Sequence, residues 1–343
     1  MVSKTILITG GAGFIGSNFV EYMFKNYPDY HIIVLDALTY AGSPDNIPDE
    51  IKQSKRFEFW YGNVTNDDLV SQLVSRSDII VHFAAESHVA RSIFDNKIFY
   101  VTDVLGTQAI ANAVVRNKNV ERFIHISTSE VYGTALTVPM TEEHQLNPLS
   151  PYASAKAGAD RLVYSYIASY NIPACILRPF NQFGPKQHLE KVIPRFITSA
   201  ILDEPLTVHG DGSAMRDWLY VQETCERIDK VLQAPIDKIK GEVFNLGSGF
   251  DLDVLSIAKL VLKIIGKPDD LISFIGDRPG QVHHHISSTD KAKEILGVRD
   301  ASRFEEGLEK TIAWYQANPK WWEKLLWMRH VPIMTESGKV EYH

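Results

Sequence analysis

Thr5-Ile6-Leu7-Ile8-Thr9-Gly10-Gly11-Ala12-Gly13-Phe14-Ile15-Gly16 joins an apolar, β-branched run to spaced glycines and the start of a helical pattern. The run reads as a strand. Glycines at 10, 13 and 16 let the backbone turn tightly and approach a pyrophosphate, whose charge meets the unpaired N–H groups at the helix start. A glycine triplet alone is weak evidence, but the next strand closes on Asp36, 20 residues after Gly16. A carboxylate there accepts hydrogen bonds from ribose hydroxyls and repels a 2′-phosphate. Ala37-Leu38-Thr39 add no positive charge, so the expected cofactor is NAD rather than NADP.

Outward from this turn, short β-branched runs alternate with longer helical patterns. Strands are expected at 5–9, 31–36, 57–61, 79–84, 122–127 and 174–178, and helices at 17–25 and 101–115. Near-continuous apolar runs such as Ile79-Ile80-Val81 suit strands buried on both faces. The expected class is α/β: a Rossmann-type doubly wound parallel sheet over residues 1–180. Beyond 180, frequent Pro and Gly break the chain into short pieces, with helices at 254–265 and 304–316. That pattern predicts a smaller mixed α/β substrate lobe over 181–330, some of whose segments return to the sheet. Residues 331–343 are polar and unpatterned, an expected poorly ordered tail.

Composition bounds the function. The chain has 343 residues, 35 Lys+Arg against 42 Asp+Glu, a net charge of −7, and 45% hydrophobic residues. Such an acidic balance, without a basic run, argues against nucleic acid or anionic lipid as partner. The two cysteines, Cys175 and Cys225, exclude a disulfide framework and fit a reducing cytoplasm. No signal-peptide pattern opens the sequence, and no run approaches the roughly 18 apolar residues of a membrane span.

Tyr152-Ala153-Ser154-Ala155-Lys156 puts a phenol and an ammonium on one face of a helix that Ser150 and Pro151 cap and start. An ammonium nearby favours the phenolate, so Tyr152 is expected to have a lowered pKa and to act as general base on a hydroxyl. The pair follows a strand ending in Ser127-Thr128-Ser129-Glu130, and the carboxyl ends of parallel strands are where such sheets bind ligands.

With these residues the chain resembles the extended short-chain dehydrogenase/reductase superfamily, and within it the nucleotide-sugar 4,6-dehydratases of the dTDP-glucose type. The likeness rests on Asp36-Ala37-Leu38-Thr39-Tyr40-Ala41-Gly42, Ala84-Ala85-Glu86-Ser87-His88-Val89, Phe123 to Thr128, Glu130-Val131-Tyr132-Gly133, Glu190-Lys191-Val192-Ile193-Pro194, Gly210-Asp211-Gly212 through Arg216-Asp217-Trp218-Leu219-Tyr220, and Asp277-Arg278-Pro279-Gly280. The resemblance implies that NAD contacts Gly10, Gly13, Phe14, Ile15, Gly16, Asp36, Asn63, Val64, Ala84, Ala85, Thr102, Tyr152 and Lys156. It implies oxidation of a sugar at C4 with Tyr152 as base, Lys156 holding ribose and phenolate, and Thr128 bonding the reacting hydroxyl. Glu130 then takes the C5 proton, water leaves from C6, and the stored hydride returns to C6.

Two positions depart from that pattern. Ser129 stands where the dTDP-glucose enzymes carry the Asp that protonates the leaving hydroxyl, and a serine is too weak an acid to replace it; Ser129 is expected to orient that hydroxyl or relay a proton from Glu130. Ala90 stands where an Asp is usual. Thr128-Ser129-Glu130 also resembles GDP-mannose 4,6-dehydratases and UDP-glucuronate decarboxylases; a decarboxylase calls for an arginine facing the C6 carboxylate, for which Arg91 is the candidate. A 4-epimerase needs no base at C5, which Glu130 argues against. The rival from another class is an NAD-binding scaffold without chemistry.

By the same resemblance the nucleotide sugar meets Ser87, Asn181, Lys191, Arg216, Asn245 and Arg278, and two copies pair as a homodimer through the Tyr152 helix and the long helix before it. His283-His284-His285 invites a metal, but no further ligand lies at a usual spacing, so none is expected.

Overall fold

The computed structural model describes residues 4–276, 284–330, 332–334 and 340–342. Seven parallel strands form the central sheet. In chain order they are β1 (Thr5–Thr9), β2 (His31–Asp36), β3 (Phe57–Tyr61), β4 (Ile79–His82), β5 (Arg122–Ile126), β6 (Ala174–Pro179) and β7 (Val243–Leu246). In space they run β7-β6-β5-β4-β1-β2-β3. The order reverses between β1 and β4, where sheets of this kind bind ligands beyond the strand ends.

Alternation along the strands feeds two apolar layers. Ile6, Ile8, Ile32 and Val34 pack with Phe19, Val20 and Met23 of α1 (Phe14–Asn26). Leu7, Ile33 and Leu35 face the opposite layer, with Ile110 and Val114 of α2 (Lys97–Arg116) and Val163 of α3 (Pro151–Tyr170). Burial on both faces is why the strands read as unbroken apolar runs. β4 and β5 stop short of the expected 84 and 127 because the chain there leaves the ladder to line the crevice.

The lobe boundary expected at 180 is crossed twice. Helix α4 (Val221–Gln233) packs on α1 through Ile228 and Val231, and β7 pairs with β6. The rest of the lobe carries two small sheets, one around Met215–Tyr220 and one pairing Leu206–His209 with Ile272–Ile275, over a core of Phe196, Leu308 and Tyr315. The tail, expected to lack order, holds an antiparallel pair, Pro332–Met334 with Val340–Tyr342; three-residue strands are too short to show an alternation. Helix α2 is long and apolar enough to cross a membrane by composition, yet 56% of its apolar window is buried inside the protein, which makes it a core helix.

Two features seat α3 beside the strand ends. The Ser150 hydroxyl accepts the Ala153 N–H at 3.1 Å, capping the helix, with Pro151 in its first turn. Arg178 of β6, 2% exposed, grips Asp160 of α3 through two bonds of 2.9 and 3.0 Å. Losing one partner leaves an uncompensated buried charge. Arg178→Met is therefore expected to cost about 3–5 kcal/mol in denaturant unfolding; a loss under about 1 kcal/mol contradicts this role.

Candidate active site

A cavity of about 460 Å³ opens beyond the carboxyl ends of the central strands. Gly10, Gly13, Phe14, Ile15 and Gly16 form one wall, joined by Asp36, by Asn63 and Val64 after β3, by Ala84 and Ala85 after β4, and by Thr102, Tyr152 and Lys156 from α2 and α3. Every residue expected to touch the cofactor thus lines one space. Gly10 sits at φ +69°, and a Cβ on it would lie 2.6 Å from the Ala84 nitrogen; only glycine lets the turn close here. Asp36 accepts N–H bonds of 2.8 Å from Ala12 and from Leu38. Burial pushes its carboxyl up, and those two amides pull it back. A glycine cradle at a helix start with a carboxylate beyond it is the shape of a site for a dinucleotide.

Thr128, Glu130, Tyr152 and Lys156 share this cavity. The Thr128 hydroxyl accepts the Glu130 N–H at 3.2 Å and lies beside the Tyr152 phenol. Lys156 donates to the Ile126 carbonyl at 2.7 Å. The lowered phenol pKa expected for Tyr152 is not found. Burial pushes it above its ordinary value, the Thr128 hydroxyl pulls it down, and the charges of Asp103 and Glu130 push it up further.

The sequence profile of the GDP-mannose 4,6-dehydratase family matches residues 7–311. The chain belongs to that family. Among its relatives, the low-salt glycan biosynthesis protein Agl12 of Haloferax volcanii is 44% identical over 310 residues, covering 90% of this chain and 98% of the relative. A dTDP-glucose 4,6-dehydratase of an Actinoplanes species is 37% identical over 322 residues, covering 92% and 99%. The crystal structure of DesIV, a dTDP-glucose 4,6-dehydratase from Streptomyces venezuelae with NAD and TYD bound, superposes with a TM-score of 0.88 at 37% identity, covering 94% and 99%. This dehydratase is an extended short-chain dehydrogenase/reductase with a Rossmann sheet. It is a hydro-lyase and uses NAD, and solved neighbours, such as a UDP-glucose 4-epimerase of Thermotoga maritima at 28% identity, are seen with a nucleotide sugar bound.

Of the residues expected to meet that sugar nucleotide, Ser87, Asn181 and Lys191 line the dehydratase cavity. Three others expected at the site are off its wall. Ser129, expected to orient the leaving hydroxyl, is buried and does not line the cavity. Asn245 is fully buried, accepting the Tyr132 hydroxyl at 2.7 Å and donating to the Met140 carbonyl at 3.0 Å. Arg216 is buried on its strand, with a guanidinium bond to the Met215 carbonyl at 2.9 Å; Trp218, two residues on, reaches the cavity instead. Arg278 and His283 lie outside the described residues. His284 is spent on Asp251 at 2.8 Å.

Sequence reasoning missed the group that ties the cavity rim together. The Glu190 side chain is wholly buried and meets Arg91 at 3.1 Å, Lys191 at 3.6 Å, His188 at 3.8 Å and His88 at 4.0 Å. The Tyr40 hydroxyl donates to it at 2.9 Å, and the Arg91 guanidinium lies 4.1 Å over the Tyr40 ring. Burial pushes Glu190 up, but Lys191, His88, His188 and Arg91 outweigh it and hold the carboxyl at about 2. Its stabilisation is therefore complete above the ordinary glutamate pKa and disappears as pH falls from there through about 2. Glu190→Gln is expected to lower the denaturation midpoint at neutral pH, with the gap closing across that acid window; a pH-independent gap contradicts it.

Proposed function

We propose that this dehydratase converts dTDP-glucose into its 4-keto-6-deoxy product and water. The observation that carries the reading is the meeting of Thr128, Glu130, Tyr152 and Lys156 with the glycine cradle in one cavity. The dTDP-glucose relatives and the TYD in DesIV support the nucleotide. Bound NAD takes the C4 hydride and gives it back at C6. Tyr152 accepts the O4 proton and later releases it to water. Thr128, beside Tyr152 on the cavity wall, orients O4, and Lys156 holds the phenolate side of the site.

Oxidation at C4 acidifies C5–H, and Glu130 removes that proton. With Ser129 off the cavity wall, Glu130 itself delivers the proton to O6. The C5–H electrons become the C5–C6 double bond as the C6–O bond breaks and water departs. Glu130, recharged from water, returns a proton to C5 after C6 is reduced, so the sum is loss of one water.

The decarboxylase alternative loses support because Arg91, its candidate carboxylate partner, is engaged by Glu190. The epimerase alternative leaves Glu130 without a task, and a scaffold needs none of the four groups. We also infer a homodimer through α2 and α3, which leave Tyr100, Leu105 and Tyr164 at 41%, 52% and 50% exposure and would form a four-helix bundle. Two buried, unpaired cysteines fit a cytoplasmic setting.

Incubation with dTDP-, UDP-, GDP- and CDP-hexoses and hexuronates, read by mass, tests the reading. Loss of water from dTDP-glucose supports it; loss of carbon dioxide or no mass change contradicts it. Tyr152→Phe is expected to lower kcat by roughly 100-fold or more. Glu130→Gln is expected to oxidise C4 and accumulate reduced cofactor without elimination; full turnover removes Glu130 from the mechanism.

A further inference from the structure

Helix α2 carries a carboxyl group that the steps above do not use. Asp103 lies in Tyr100–Leu105, where the helix widens to a π-type turn, a distortion that gathers at functional sites. This turn packs on α3, the helix of Tyr152 and Lys156. Asp103 is wholly buried. Its Oδ1 accepts the Glu86 N–H at 2.8 Å, and its Oδ2 has no hydrogen-bond partner among the described residues. A buried carboxylate with an unused acceptor is costly unless a cation faces it.

The charged neighbours single out one cation. Lys156 faces Asp103 from α3, and Glu86 from the segment after β4. Lys156 in turn faces Asp103, Asp160 on its own helix, His82 of β4 and His125 of β5. Asp160 is already held by Arg178 and Arg161. His82 is bonded to Thr9 and Thr107, and burial followed by the charge of Lys156 holds its imidazole neutral, at about 3; His125 is pushed down by the same causes. Asp103 is the carboxylate left to balance Lys156.

We propose that Asp103 is a positioning residue for Lys156: its carboxylate, fixed by the Glu86 amide, is the counter-charge that keeps the buried ammonium protonated during turnover. The inference rests on the role given above to Lys156. Burial pushes Lys156 down, and Asp103, then Asp160, push it back. Burial pushes Asp103 up to about 7 against the pull of Lys156 and the Glu86 amide, so the two groups titrate as a pair. The charge on Asp103 also raises the Tyr152 phenol. Removing that charge lets Tyr152 ionise, and Lys156 lose its proton, at lower pH. Both limbs of the activity profile then move the same way.

Asp103→Asn keeps an acceptor for the Glu86 N–H and removes the charge. With dTDP-glucose, the kcat–pH profile of this variant is expected to move down by about one pH unit, with KM changed less than about twofold. A uniform fall in kcat with the profile unmoved overturns the proposal. A second measurement does not depend on that variant folding. Infrared difference spectra of the wild-type protein on either side of neutrality should show a buried carboxylic acid losing its proton, and Lys156→Met should move this transition to higher pH. No such movement overturns the pairing. Movement in the infrared with an unmoved kcat profile overturns the positioning role while leaving the electrostatic coupling, and the infrared result does not depend on whether Tyr152 is the base.

Discussion

The Lys156 ammonium donates to the Ile126 carbonyl at the end of β5, and the rest of the site depends on that tie. It can form only if α3 lies across the strand ends at a fixed height, which the Arg178–Asp160 pair from β6 secures one turn further along. Charges this deep would oppose folding if unmatched, because desolvation of each ion costs several kcal/mol. The chain matches them with side chains from β6, α2 and α3. The same matching leaves the ammonium buried beside a partly buried phenol, where their protonation responds strongly to neighbours.

A second set of buried charges closes the other end of the cavity. Glu190 draws together the segment after β2, the one after β4 and the one before Val192. None of these is a regular strand or a long helix, so nothing else in the backbone ladder fixes their spacing. A carboxylate surrounded by four cationic or imidazole groups supplies that order electrostatically. It also spends Arg91 on structure, which is part of why water loss rather than carbon dioxide loss fits the site.

The parts legible in the sequence are those whose signal is local. The glycine turn, the carboxylate at Asp36 and the Tyr152–Lys156 spacing each occupy one strand end or one helix face, and each lies on the cavity wall. The parts that were not legible depend on contacts between distant segments. The return of β7 beside β6 decides that Asn245 faces Tyr132 and Met140 rather than ligand. Ser129 lies between two cavity residues, Thr128 and Glu130, and the tight turn there sends its side chain into the interior. A lone glutamate before Lys191, or an aspartate inside an apolar helix, carries no periodic mark at all.

The proposed chemistry needs one cavity in which what is taken from C4 is delivered to C6 of the same sugar. Turnover of dTDP-glucose deuterated at C4, in ordinary water, tests this most directly. The account predicts one deuterium in the C6 methyl group of each product molecule and hydrogen from solvent at C5. Deuterium released to water, or retained at C4, would contradict it.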